Sequence, residues 1–183
     1  MERDYIKETM PWLDGVFARG DTNPSLFSSK KHREIAEKLK TGWGKKNRLD
    51  LLRSLEKEYG KEDVLTVLDA VHKNRTAADW KEVDKKEGGS FETLYRMLWS
   101  TLKPPEFHFS EEFTDTVKQF KVTHCFLAET ARKIKAEEWF FHLACLSDYY
   151  TIEGLNSDIT FKRSKTLMQG DDSCDHCYLL PES

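Results

Sequence analysis

Through the first half of the chain, apolar residues recur every three or four positions. Leu49, Leu52, Leu55 and Tyr59 share one helical face, and Gly60 ends that run. Val64, Leu65, Leu68 and Val71 start a second amphipathic helix that can continue towards Trp80 and Val83. Past Gly88-Gly89, Ser90 can cap a third, with Phe91, Leu94, Tyr95, Leu98, Trp99 and Leu102 as its buried face and Pro104-Pro105 as its stop. Upstream, Lys30 to Leu39 has helical character and is stopped by Gly42-Trp43-Gly44. Roughly the first 28 residues are punctuated by Pro11, Gly15, Gly20 and Asn23-Pro24, which predicts short helical pieces wrapping the domain.

After Pro105 the period shortens to two. Phe107 and Phe109, then Phe120, Val122 and His124, alternate with polar residues as a half-buried strand does. Cys125 stands where that strand hands over to a helix from Phe126 to Ile134, and a further helix runs from about Ala136 to Thr151. Ile159-Thr160-Phe161 and Cys174 to Leu179 read as two more strands, with Gly170-Asp171 at the turn between them. The expectation is a single α+β domain over residues 1–183. A helical N-terminal layer, to about residue 105, packs with a small antiparallel sheet of about three or four strands in the C-terminal part.

Composition changes this picture little. With 183 residues, a net charge of −3 and 33% charged residues, the chain can bury one core beneath a mixed, soluble surface. No basic excess suits nucleic acid, and no apolar run approaches the ~20 residues that cross a bilayer. The charged start Met1-Glu2-Arg3-Asp4 lacks the apolar centre of a signal peptide, so the expected location is cytoplasmic. The expected partner is a small-molecule substrate, with homo-oligomerisation left open. In a reducing compartment the cysteines are expected as free thiols, ligands or nucleophiles.

Chemistry concentrates late in the chain. All four cysteines and three of the six histidines fall between His124 and Cys177. Cys125, at a strand-to-helix junction, would meet unpaired N–H groups and the positive end of the helix dipole, which favour thiolate; otherwise it is a small buried hydrophobe. On the expected helix 136–151, Trp139, Leu143, Leu146 and Tyr150 form one stripe, while Phe141, Cys145 and Asp148 lie on another side. Asp148 would then be a carboxylate facing protein, either used in chemistry or accepting backbone or arginine hydrogen bonds. His142 lies between the two sides and reads as a semi-buried histidine. Strand alternation puts Cys174 and His176 on one face and Asp175 and Cys177 on the other. A Cys–His pair so placed fits a thiolate–imidazole couple or two metal ligands. The spacing Cys174-x-x-Cys177 suits a zinc knuckle, but no second such pair follows. The tryptophans Trp12, Trp43, Trp80 and Trp99 read as core, and no phosphate loop, dinucleotide fingerprint or serine elbow is present.

Three stretches together resemble the L-2-amino-thiazoline-4-carboxylic acid hydrolase family. They are Val122-Thr123-His124-Cys125-Phe126-Leu127-Ala128-Glu129, the pair Cys145-x-x-Asp148, and Gly170-Asp171-Asp172-Ser173-Cys174-Asp175-His176. Ser164-Lys165-Thr166-Leu167 is similar as well, and Cys177 is a departure. The likeness is good over about the last 70 residues of the chain and looser over the helical half, through Leu49–Gly60 and the helix after it. The Gly-Asp-x-x-Cys ending is also similar to vinyl-reductase-type ligand-binding domains, which keeps a non-catalytic small-molecule or metal-binding sensor as the alternative. The resemblance implies hydrolysis of a carbon–nitrogen bond in a thiazoline or amidine, giving a carbamoyl-cysteine-like product. It implies Cys125, Asp148, Cys174 and His176 as catalytic residues: a thiol attacks or positions water, His176 moves protons, and Asp148 binds the amidinium or orients the imidazole. Cys145 and His142 would bind substrate or support these groups. No cofactor is expected, but a divalent metal held by Cys125, Cys174 and His176 is a competing arrangement. On the thiol reading, single replacements of the four catalytic candidates each cost orders of magnitude in activity.

Overall fold

The computed structural model describes residues 3–18 and 26–181; Gly20 and the Asn23-Pro24 pair lie outside the described residues. Its contacts gather into two compact units, Met1–Thr76 with His142–Ala144, and Ala77–Phe141 with Cys145–Ser183.

The first unit is helical: α1 (Tyr5–Thr9), α2 (Leu13–Phe17), α3 (Lys30–Gly42), α4 (Arg48–Tyr59) and the opening of α5 (Lys61–Glu87). Each start has a local cause. Asp4, Ser29 and Asn47 accept backbone N–H groups in the first turns of α1, α3 and α4. Gly60 ends α4 with φ of 89°, a conformation glycine adopts without a Cβ clash. Ile35, Leu39 and Trp43 are buried, as are Leu52, Val64 and Leu68. As expected, α3 ends at Gly42-Trp43-Gly44: the helix runs to Gly42 and Trp43 caps it, its backbone N–H bonding the carbonyl of Leu39 at 2.9 Å. Arg48 is buried too, with Nη1 2.7 Å from Asp4 and Nη2 2.6 Å from Asp14, so the short N-terminal helices are tied to the start of α4. Trp12, read as core, is exposed instead.

The second unit holds α6 (Phe91–Met97), β1 (Phe107–Phe113), β2 (Val117–Cys125), α7 (Phe126–Ile134), α8 (Glu137–Phe140), α9 (Ser147–Leu155), β3 (Thr160–Lys162) and β4 (Cys174–Leu179). The four strands form one antiparallel sheet in the order β1-β2-β4-β3, and the fold class is α+β as expected. Ser90 caps α6 through the N–H of Thr93. That helix stops at Met97, earlier than its apolar stripe suggested, and Trp99 enters on a separate short 3-10 turn. There the indole stacks on Phe120 of β2, with centroids 3.7 Å apart and 7° between planes. Phe109, His176 and Tyr178 meet its edges. This aromatic layer is the core over the sheet.

The expected helix from Ala136 to Thr151 is present, but it is widened part-way along. Between α8 and α9, Phe141–Cys145 forms a wider, π-helical turn, and the N–H of Leu146 reaches back five residues to the carbonyl of Phe141 at 3.1 Å.

Further along α9, Gly154 packs on backbone. A Cβ there would fall 2.7 Å from Cα of Ala77 and closer still to its carbonyl oxygen. Gly154→Ala is therefore expected to destabilise the fold by about 1–3 kcal/mol, since backbone cannot swing aside as a side chain can. Urea titration of the two proteins checks this; an unchanged midpoint would contradict the close approach.

Candidate active site

Strand β4 supplies the first part of the site. Its alternation turns Cys174, His176 and Tyr178 to the buried face, while Asp175 and Cys177 face the other way, half-exposed. Opposite on β2 stand Val122, paired with Cys174, and Phe120, paired with His176.

Asp175, on the outer face, determines what happens next to β3. It accepts N–H bonds from Ser164 at 2.9 Å and Lys165 at 2.6 Å. Asp171 likewise takes the N–H of Thr166 at 2.7 Å. The chain leaving β3 is thereby held still, and Arg163 projects inward with 2% of its side chain exposed. Its guanidinium lies 5.5 Å from the ring of Tyr149 and 5.7 Å from that of Phe161. Nη1 donates to Oδ2 of Asp148 at 2.6 Å, and Nη2 donates to the carbonyl of Cys145 at 2.9 Å.

Asp148 sits in the first turn of α9. Nε2 of His176 approaches the same Oδ2 at 3.3 Å and stands 3.4 Å from Nη1 of Arg163. Arg163 and His176 thus converge on the same carboxylate oxygen. Burial alone would raise this carboxyl group's pKa, but His176 and Arg163 together hold it below the usual carboxylate range. Arg163 is raised for the complementary reason: Asp148 outweighs the effect of its burial. On its far side, Nδ1 of His176 is buried without a hydrogen-bond partner. The ring is flanked by Trp99 at 5.1 Å and Phe161 at 5.8 Å.

Of the expected site residues, the structure brings Asp148 and His176 into contact. Three free thiols lie in their electrostatic reach: that of Cys145 senses Arg163, Asp148, Cys125 and Cys174. Burial pushes the Cys174 thiol up to about 11, although its sulfur accepts the N–H of Leu167 at 3.2 Å. Cys145 is raised further for the same reason.

Cys125 corrects an expectation. It does end β2 at the N-terminus of α7, and the N–H groups of Leu127 and Ala128 do stabilise its thiolate. Burial outweighs them, and the thiol's pKa is raised rather than lowered. His142 is half-buried and hydrogen-bonded, as its reading as a semi-buried histidine expected. It belongs to the first unit, where Nδ1 lies 2.8 Å from Oδ1 of Asp69 and the backbone carbonyl bonds the buried His72. The metal arrangement on Cys125, Cys174 and His176 does not form. Among the described residues, no three His, Cys, Asp or Glu side chains are placed to hold a metal ion.

Arg163 was missed altogether. A signal was available: Arg163 lies two residues beyond the inward-facing Phe161, so strand alternation puts it on the same face.

The family model for L-2-amino-thiazoline-4-carboxylic acid hydrolase matches residues 29–178. The chain belongs to that family. Every residue of the cluster in this L-2-amino-thiazoline-4-carboxylic acid hydrolase family member falls inside the matched span, and so does most of the helical first unit. No curated protein and no solved structure matches the chain.

Proposed function

We propose that this family member is a hydrolase that opens a carbon–nitrogen bond of a small thiazoline or amidine, releasing a carbamoyl-cysteine-like product. The observation that carries the reading is the Asp148–His176 pair, in which one imidazole nitrogen faces an ionised carboxylate and the other is buried without a partner. Such a nitrogen is costly to leave empty and well placed to handle a proton.

The thiazoline carbon is bonded to two nitrogens and one sulfur. In the proposed step, water attacks that carbon while its proton passes to Nδ1 of His176. The imidazolium so formed is stabilised by Asp148. The same proton then goes to the ring nitrogen, already protonated in the amidinium form of the substrate, as its bond to the carbon breaks. The hydrogen remaining on the added oxygen is released to solvent as the carbonyl forms. The carbon keeps its sulfur, gains the water oxygen as a carbonyl, and the product is an S-carbamoyl cysteine. In this reading, Oδ1 of Asp148 accepts an N–H of the amidine.

Water is favoured over a cysteine as the nucleophile. Burial raises the thiols of both Cys125 and Cys174, which disfavours the thiolate that would attack. Cys125→Ser and Cys174→Ser are thus expected to keep turnover within about tenfold of the parent. The assay is purified protein with 2-aminothiazoline-4-carboxylate, the product followed by mass spectrometry. Loss of turnover by orders of magnitude in either variant, with a cysteine adduct trapped, would restore the thiol mechanism. Saturable binding with no turnover would instead support the sensor reading.

A further inference from the structure

We propose that Arg163 is a positioning residue that fixes His176 in the tautomer with hydrogen on Nε2, so that Nδ1 carries the lone pair. This rests on the hydrolytic reading for its purpose, though not for its geometry.

The argument starts at a shared atom. Oδ2 of Asp148 meets Nη1 of Arg163 at 2.6 Å and Nε2 of His176 at 3.3 Å. What Nε2 must be depends on the charge of that carboxyl group. A neutral carboxylic acid could donate its hydrogen to Nε2, which would leave the imidazole hydrogen on Nδ1. An ionised carboxylate only accepts, so Nε2 must donate. Arg163 decides between the two. Guanidinium stays protonated under all ordinary conditions, and at 2.6 Å it keeps the buried Asp148 ionised.

A competing arrangement has Nη1 donating to an unprotonated Nε2 across 3.4 Å. That would turn the Nε2 lone pair towards a carboxylate oxygen at 3.3 Å, while Nη1 is already committed to the same oxygen at the much shorter 2.6 Å. The attraction of N–H for the full negative charge prevails.

The guanidinium is itself held in place. Nη2 is bonded to the carbonyl of Cys145 at 2.9 Å, a group free to accept because Tyr149 bonds Leu146 instead of continuing an α-helical ladder. Rings of Tyr149 and Phe161 flank it, and Asp175 fixes the following backbone. Arg163 therefore cannot drift from Asp148 without breaking several contacts. The outcome is a chain of three groups in which an arginine sets a carboxylate and the carboxylate sets an imidazole. A lysine could supply the charge but not the planar fork that aims two nitrogens at the two acceptors.

The test is nitrogen-15 NMR of the full chain labelled at histidine, near neutral pH, in the parent, Arg163→Gln and Arg163→Lys. In the parent, His176 should show a protonated Nε2 and an unprotonated Nδ1, with assignment confirmed by loss of the signals in His176→Gln. In Arg163→Gln, the preference should be lost, by mixed tautomers or by imidazolium, and kcat should fall about tenfold or more with KM changing less. Arg163→Lys should keep the Nε2–H tautomer if it folds. A parent spectrum with hydrogen on Nδ1, which needs no variant, overturns the proposal. So does an unchanged tautomer in folded Arg163→Gln. Should the spectra behave as expected while no thiazoline is hydrolysed, the functional reading fails and the role of Arg163 stands.

Discussion

His176→Gln is expected to lower kcat/KM for a thiazoline substrate by about 10²–10⁴, the usual contribution of a positioned acid–base group. Glutamine roughly fills the volume and can still hydrogen-bond Asp148, so the folded state should survive. What it lacks is a nitrogen that can take a proton from water and return it. The loss should fall mainly in kcat, because the proton moves in the transition state rather than on binding. Steady-state kinetics with circular dichroism of the same sample makes the check. Retention of most activity in a folded His176→Gln protein would remove His176 from the chemistry.

The second large effect concerns stability. Asp148→Ala leaves Arg163, with 2% of its side chain exposed, as an uncompensated buried charge. Breaking one side of a buried pair costs about 3–5 kcal/mol. Replacing both partners, as in Asp148→Ala with Arg163→Met, should recover most of that cost, since a buried ion pair is close to neutral against apolar packing. Denaturant unfolding of the two single variants and the double variant measures the coupling; additive effects would show that the pair is not energetically linked. The pH dependence has a definite sign. Asp148 is held below its ordinary range when folded, so its contribution is complete above the unfolded carboxylate value and is lost as pH falls through the lower, folded one. Asp148→Ala should lack this acid-side loss, visible as a flatter limb in stability against pH.

Much of the architecture was legible because it follows from period and caps. The 3.6-residue spacing of Leu49, Leu52 and Leu55 and the glycine after Tyr59 yield α4 as it stands. Alternation through Cys174, His176 and Tyr178 gives the buried face of β4, and it correctly sends Cys177 outward. Misjudgements came where tertiary context or hydrogen-bond pattern overrides period. Leu98 continued the apolar stripe of α6, yet that helix ends at Met97 so that Trp99 can lie flat on Phe120. In the site, Asp148 and His176 were readable as the polar residues of apolar faces. The direction of the shift at Cys125 was not, because it depends on how deeply a thiol is buried and not on which element it caps. Arg163 escaped because a basic run such as Lys162-Arg163-Ser164-Lys165 at a strand end ordinarily marks the surface.

The wide turn at Phe141–Cys145 carries a consequence for how this site tolerates insertions and deletions. Such a turn amounts to one residue more than an α-helix would use over the same path. Removing a single residue from it would restore a regular ladder, return the Cys145 carbonyl to the helix backbone and turn the start of α9 by about 100°. No polar or charged side chain need change for that to happen. Length, at this one place, is as much a determinant of the site as the identity of any residue in it.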